Sequence, residues 1–454
     1  MAVCDQEIPQ DWTLHPFLEQ SDSPNANMWY VLSDHESASV AMEGRPLKEM
    51  PCPRLGTSCS VDDNGNLVLF GGATLEKLLD DVHVFNMAKL KWSKLKCGGT
   101  APSPRYEHAA AFYSSINALC VFGGAVAEKP LNDVHILNLA TNTWIKVKTN
   151  GESPSPRTMH SAGYDDSRLI VFGGGLQGAN IVPDPRVHFL DITTHTWTSH
   201  LCGGSAPSPR QGHSMVVVGQ KLFVFGGMGG STFYGDLYIL DLTQLTWSCP
   251  DTAGPPPLAR ASHGVACVGS RMYVFGGLGL VAAQPRTLQD LHVLDTTTLE
   301  WSAVSVQAAG IGARMDLAMG ATALRVAPAA TPAPRPAASS TQPIQDITDM
   351  FGRDGVLLGD TDGIEVTAAI PADKTSEPLG AGGSANDETA SPAVPRDSDG
   401  DLSSPGTVSV PAAEGDVVPA AEGDVLPGPM ALVIFGGVSL EGAVYGDLLA
   451  LVPS

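Results

Sequence analysis

Arg210 and His213 stand three residues apart in APSPRQGHSMVVVGQKLFVFGG (206–227), behind a stiff Pro-Ser-Pro and ahead of an apolar run that ends in Gly-Gly. An arginine to hold an anion and a histidine to move a proton are the parts of a general acid–base site. A second set, His83, His135, His188 and His292, could suggest metal chemistry, because neutral imidazole is a common zinc ligand. Either chemistry requires a constellation that occurs once, held in one place by the elements around it.

Neither set occurs once. Arg210 has counterparts at Arg54, Arg105, Arg157, Arg260 and Arg314, and Gly-Gly recurs at 71–72, 123–124, 173–174, 226–227, 276–277 and 436–437. After the first five pairs come DVHVFN (81–86), DVHILN (133–138), RVHFLD (186–191), DLYILD (236–241) and DLHVLD (290–295). Each is closely followed by a tryptophan: Trp92, Trp144, Trp197, Trp247 and Trp301. The position three after the arginine is Thr57, His108, His160, His213, His263 and Leu317 in turn, so threonine and leucine also serve there. The third-strand histidines share their place with Tyr238 and Leu449. Sheets pack about 10 Å apart and zinc–nitrogen bonds are about 2 Å, so equivalent histidines on neighbouring sheets are badly placed to grip one ion. A tie between the arginine-bearing loop and the neighbouring repeat explains the first set, and core packing the second.

One unit therefore reads as a turn with Arg, a strand, a strand ending in Gly-Gly, a longer loop, a third strand, and a fourth strand with Trp. Four strands in about 50 residues cannot bury both faces alone, and stacking such sheets around an axis does so. The expectation is all-β, a six-bladed β-propeller. The Gly-Gly, the His or aromatic of the third strand and the Trp of the fourth resemble kelch repeats over residues 29–324 and 430–454.

The sixth unit is split. It begins with GARMDLAMGATAL (312–324), resumes with ALVIFGG (431–437) and YGDLLALV (445–452), and then the sequence stops without a Trp-bearing strand. MWYVLS (28–33) is the spare strand of that type, so this N-terminal strand is expected to close the ring. The organisation predicted is an N-terminal tail (1–27), the propeller (28–324), an insertion (325–429) and the remainder of blade six (430–454). The insertion has 17 acidic and 5 basic residues, which carries −12 of the chain's −22. Its Pro, Ala, Gly and charge predict disorder, and by position it replaces the turn between the first two strands of blade six. DSDGDLSSPGTV (397–408) begins like a calcium loop but has Leu402 and Val408 where the turn glycine and bidentate glutamate belong. IQDITDMFGRDGVLLGD (344–360) is the insertion's apolar cluster.

Composition agrees with many tight turns, with 49 Gly and 35 Pro. The net charge of −22 argues against nucleic acid as a partner. Eight scattered cysteines form no C-x-x-C pair and no zinc spacing. The start has neither the basic opening nor the apolar core of a signal peptide, and no apolar segment reaches eighteen residues. A reduced, cytosolic monomer without cofactor or metal is expected.

Candidate partner contacts run against the overall charge. KLKWSKLK (89–96) and WIKVK (144–148) place Lys94 and Lys96, and Lys146 and Lys148, at matching positions of two fourth strands. Alternation sets each pair on one side of its strand, as a basic stripe for an acidic partner or lipid surface, or simply as edge protection. On the loops after Gly-Gly, Phe233 is an aromatic without an equivalent in other units, and Glu128, Lys129 and Arg286 are further loop charges.

PSPRYEHAAAF (102–112), TFYGDLYILD (232–241), Arg186 in place of the usual Asp, and the long acidic insertion are similar to the Rab-effector members of the kelch family. That resemblance implies a non-enzymatic scaffold that binds the GTP form of a late-endosomal Rab GTPase, lies peripherally on endosomal membranes and promotes endosome to trans-Golgi network vesicle transport. Kelch families also include substrate-recognition adaptors of ubiquitin ligases, which add a helical domain for which the 28 residues before Trp29 leave no room. They include metal-dependent enzymes as well, which need ligand sets that break the repeat symmetry, and none is visible here.

Overall fold

The computed structural model describes residues 49–127, 129–165, 167–176, 180–305, 311–323, 430–451 and 453, together with the backbone of 17–18 and 29–32. The predicted insertion, most of the N-terminal tail and Glu128 lie outside the described residues. Apart from one 3-10 turn (Ser114–Ile116), the regular elements described are all strands.

Each unit forms one antiparallel meander in sequence order. Unit one is Ser58–Val61, Leu67–Phe70, Val82–Asn86 and Lys91–Leu95. Unit four, with Ser214–Val218, Lys221–Phe225, Leu237–Asp241 and Thr246–Ser248, repeats the pattern. In the last sheet Ala318–Ala323, Met430–Phe435 and Leu448–Leu451 come in order. Trp29–Leu32 then pairs antiparallel with the third of these, Trp29 opposite Leu451, and Phe17–Leu18 pairs parallel with Trp29–Leu32.

The second strands explain why the sheets stack. LVLF (67–70), ALCVF (118–122) and the ALVIF of the last sheet are buried at every residue, an uninterrupted apolar run of the kind a strand shows when both its faces are covered. Apolar clusters join each sheet to the next: Phe70 and Trp144 belong to one, Phe122 and Trp197 to another, Phe172 and Trp247 to a third. Two more follow in order, and a sixth joins Phe435 and Leu448 to Leu67, Phe85 and Trp92. In five of the six clusters a tryptophan tilts against the phenylalanine of the preceding unit, among them Trp144 on Phe70 at 5.2 Å between ring centroids, Trp301 on Phe225 at 5.1 Å, and Trp92 on Phe435 at 5.6 Å. Such pairs add about 0.5–1.5 kcal/mol beyond their area burial.

Backbone hydrogen bonds repeat the same order. The second Gly N–H of each unit donates to the carbonyl of the next unit's arginine, from Gly72 to Arg105 (2.8 Å) through Gly277 to Arg314 (2.9 Å), and Gly437 donates to Arg54 (3.0 Å). Those glycines sit at φ between +85° and +106°. At Gly72 a Cβ would also lie 2.8 Å from the Leu55 carbonyl oxygen, so no other residue fits without moving backbone.

Candidate functional site

Arg210 is fully buried and its donors are consumed. Nη1 reaches the Gly226 carbonyl (2.9 Å) and Asp236 Oδ1 (2.6 Å), Nη2 reaches Asp236 Oδ2 (3.1 Å), and Nε reaches the Ser208 carbonyl (3.1 Å). The guanidinium also stacks on Tyr234 at 4.3 Å. Arg54, Arg105, Arg260 and Arg314 bind their own Gly carbonyl and Asp81, Asp133, Asp290 and Asp447 in the same way. The side chain thus locks the arginine's own unit while its backbone N–H and carbonyl bind the preceding one, as Arg105 does with Leu79 and Gly72. Each arginine staples two repeats and leaves no free fork for a substrate anion.

The histidines three residues on are buried between sheets. His108 Nε2 lies 2.9 Å from Ser58 Oγ and its ring packs edgewise on Phe70. His263 and Ser214 make the same pair at 2.8 Å. Burial, and then the charge of the nearby arginine, pushes His108, His160 and His263 down to about 3, and His213 well below its ordinary value. Neutral and enclosed, they cannot relay protons near pH 7.

The third-strand histidines do more than fill the core. His83, His135 and His292 each lie 3.0 Å from the aspartate two residues earlier, the carboxylate that also binds the arginine. Burial alone would raise Asp81, but the hydrogen bonds from His83 and Arg54 outweigh it and hold the carboxyl well below the usual range. Each histidine belongs to its own Arg–Asp–His cluster, and among the described residues no group of three His, Cys, Asp or Glu side chains could hold a metal ion.

Unit three departs from the rule. Arg186 stands where the others have aspartate, and Asp184 reaches in from two residues upstream: 3.0 Å from His188 Nε2, 2.9 Å from Arg186 Nε, and only 3.7 Å from Arg157. Arg186 also pairs with Glu152 at 3.3 Å. An open recess of about 590 Å³ lies here, lined by Ser153, Ser155, Val182 and Pro183 among others.

Of the surface candidates, Lys94 and Lys146 are 57% and 58% exposed, yet each approaches the cluster carboxylate of its own unit, Asp81 at 3.5 Å and Asp133 at 3.9 Å. Lys96 and Lys148 are exposed. Phe233 is half-buried, opposite Met228 in a short hairpin. Lys129 and Arg286 are exposed in the equivalent hairpins of units two and five. The segments after Gly-Gly also expose aliphatic side chains that sequence reasoning missed: Leu75 (76%), Leu176, Leu280, Val281 and Leu440. Their signal was available, an apolar residue two to four places after Gly-Gly in a loop.

A second missed feature lies two residues after each arginine. Gly56, Glu107, Met159, Gly212, Ser262 and Asp316 all have φ between +48° and +63°. Their backbones link in series, Glu107 N–H to Gly56, Gly56 to Asp316, Asp316 to Ser262, Ser262 to Gly212 and Gly212 to Met159, at 2.7–3.0 Å. Thr158 Oγ donates to Glu107 Oε2 at 2.6 Å across the remaining step. Burial, and then the Asp316 carboxylate, raises Glu107 to about 7.

Among the described residues no helix is long and apolar enough to cross a membrane. The family model described as the KLHDC2/KLHL20/DRC7 Kelch-repeats domain matches residues 18–227 and 117–324. The Rab9 effector protein with kelch motifs of Homo sapiens is 38% identical over 230 residues, 49% of this chain and 58% of that protein. Its Danio rerio counterpart is 30% identical over 232 residues, 50% and 65%. Acyl-CoA-binding domain-containing protein 4 of Arabidopsis thaliana is 38% identical over 178 residues, 38% of this chain and 26% of that protein. The matches thus span less than two thirds of these curated relatives. With the family model covering more than half of the sequence on the same Arg, Gly-Gly, His and Trp marks that build the sheets, the chain belongs to the kelch-repeat family.

Proposed function

We propose that this kelch protein is a non-enzymatic interaction scaffold, an effector that binds the GTP-bound form of a Rab GTPase and promotes endosome to trans-Golgi network transport. In this reading the six meanders are the blades of one β-propeller, and Trp29–Leu32 supplies the fourth strand of the sixth. Two observations support the ring: the hydrogen bond from Gly437 to Arg54, and the pairing of Trp29–Leu32 with Leu448–Leu451. The partner class follows from the relatives named as Rab9 effectors.

The observation that carries a binding role is the set of solvent-facing aliphatic side chains on the segments after Gly-Gly. A rigid stack of sheets has no packing use for Leu75 at 76% exposure, and apolar side chains among polar loops are what a partner desolvates. Phe233, Lys129 and Arg286 lie on the same segments and would flank that contact. The arginines and histidines that resemble catalytic groups are committed to staples, which favours a scaffold over an enzyme.

Capture of purified Rab9 on the immobilised full chain tests the reading. GTP-loaded Rab9 should be retained and GDP-loaded Rab9 should not, and Leu75→Asp with Leu280→Asp should weaken retention by about tenfold. Equal or absent capture in the two nucleotide states would overturn it.

A further inference from the structure

Three of the staple arginines follow a Ser-Pro pair: Ser103–Pro104, Ser155–Pro156 and Ser208–Pro209. Each serine is exposed, and its Oγ accepts a hydrogen bond from the arginine's Nη2, at 3.1, 3.2 and 3.3 Å in turn. Cys52, Leu258 and Gly312 hold that place in the other units. A hydroxyl that already faces a guanidinium is where a phosphoryl group would find charged donors in position. The three serines differ in how much charge the guanidinium has left to offer.

In units two and four the guanidinium is neutralised at close range. Arg105 meets both oxygens of Asp133 at 2.7 and 3.1 Å, and Arg210 meets both of Asp236 at 2.6 and 3.1 Å. A phosphate on Ser103 or Ser208 would crowd that carboxylate with one guanidinium to share, and unit two adds only the exposed Lys146, 3.9 Å from Asp133. In unit three Asp184 stands 3.7 Å from Arg157 and is held more closely by Arg186 and His188. Arg186 is a second guanidinium, 38% exposed, and it lines the 590 Å³ recess together with Ser155. Its contact with Glu152, at 3.3 Å, is a solvent-facing ion pair of the kind that contributes little and is readily displaced. Access selects the same serine. A proline-directed kinase must grip both the serine and the proline after it. Pro156 is exposed, whereas Pro104 and Pro209 are half-buried, and Pro154, which follows Ser153 in the same loop, is buried.

We propose that Ser155 is a phosphorylation site for a proline-directed serine/threonine kinase, and that its phosphate is held between Arg157 and Arg186. With ATP as the phosphoryl donor, Ser155 Oγ attacks the γ-phosphorus and the bond from that phosphorus to the β–γ bridging oxygen breaks. ADP leaves, and the hydroxyl proton passes to the kinase's catalytic carboxylate. The product carries close to two negative charges at neutral pH. It takes the place of Glu152 on Arg186 and strengthens the contact that Arg157 already makes with Ser155 Oγ. Before modification Arg157 and Arg186 balance Asp184 and Glu152 around the recess; afterwards the same surface is an acidic patch.

The test incubates the folded full chain with a purified mitogen-activated protein kinase and ATP, and maps the phosphate by mass spectrometry. Ser155 should be modified at least about tenfold faster than Ser103 or Ser208, in line with its exposed proline. Phosphorus NMR of the product then reads the second ionisation of the resonance that Ser155→Ala lacks. Its midpoint should lie at least about half a pH unit below that of the same group in urea, because two guanidinia favour the dianion. Arg186→Gln should raise the midpoint, and Glu152→Gln, which frees Arg186, should lower it further. The proposal fails if Ser155 takes up no phosphate, if the three serines are modified alike, if folding leaves the midpoint unmoved, or if either variant does not shift it in the stated direction.

Discussion

Units three and four solve the same problem with different sequences. In unit four Asp236 sits directly before the third strand and takes Arg210 with both oxygens, at 2.6 and 3.1 Å. In unit three that place is Arg186, and Asp184 reaches back to touch Arg157 only at 3.7 Å while binding Arg186 and His188 more closely. Burial accordingly pulls Arg157 down to about 10, because Asp184 offsets it only in part and Arg186 adds like charge. The requirement is therefore a carboxylate within reach of both guanidinium and imidazole, and not an aspartate at one position. The recess lined by Pro183, Asp184 and Arg186 lies beside this altered cluster.

The sharpest way to break this comparison is to remove each arginine. Arg210→Met strands Asp236 and the Gly226 carbonyl and should cost about 3–5 kcal/mol in urea unfolding. Arg157→Met should cost about 1 kcal/mol less, since Arg186 still neutralises Asp184. Equal losses would mean that the carboxylate's geometry contributes nothing and that the Gly carbonyl bonds, at 2.9 and 3.0 Å, carry the staple alone.

A smaller effect sharpens it from the other side. Asp184→Asn should destabilise by about 1–2 kcal/mol through loss of the charge shared by Arg157, Arg186 and His188. Adding Arg186→Asp restores a carboxylate where unit four has one and should recover most of that loss. The coupling, measured by a double-mutant cycle, should be positive and about 1 kcal/mol. Additive effects would show that a carboxylate at 186 cannot reach Arg157.

These substitutions concern residues that were partly legible beforehand. The spacing of Arg, Gly-Gly, His and Trp marks the repeats because each residue has a steric or hydrogen-bonding duty recurring once per sheet: Gly72 for its φ of +98°, Trp144 for its place on Phe70. What recurs can be found in one sequence. Asp184 could not, since it answers a local substitution through a turn whose path is set in three dimensions. The positive-φ series from Gly56 to Asp316 was hidden for a different reason, because the backbone fixes it and the side chains there share no chemistry. Lys94 and Lys96 were visible as charges, but that Lys94 and Lys146 each approach the cluster carboxylate of their own unit was not.

The smallest predicted effect lies on that series, where unit two again differs from unit four. Gly212 places no side chain there, whereas Glu107 places a carboxyl in a site crowded by Asp316 and tied to Thr158. Its pKa is raised from 4.5 to about 7, so the folded chain holds a proton that the unfolded chain has released across that interval. Stability contributed by this group is therefore complete below about pH 4.5 and falls as pH rises to about 7, the reverse of the Asp81 and Asp133 carboxyls, which are held low. Glu107→Gln keeps an oxygen to accept the Thr158 hydroxyl and removes the titration. Thermal unfolding of the variant should show a Tm about 2–4 °C above the parent at pH 8 and no difference at pH 4. A difference of the same size at both pH values would assign Glu107 a packing role without proton uptake, and would leave burial beside Asp316 without consequence for the fold.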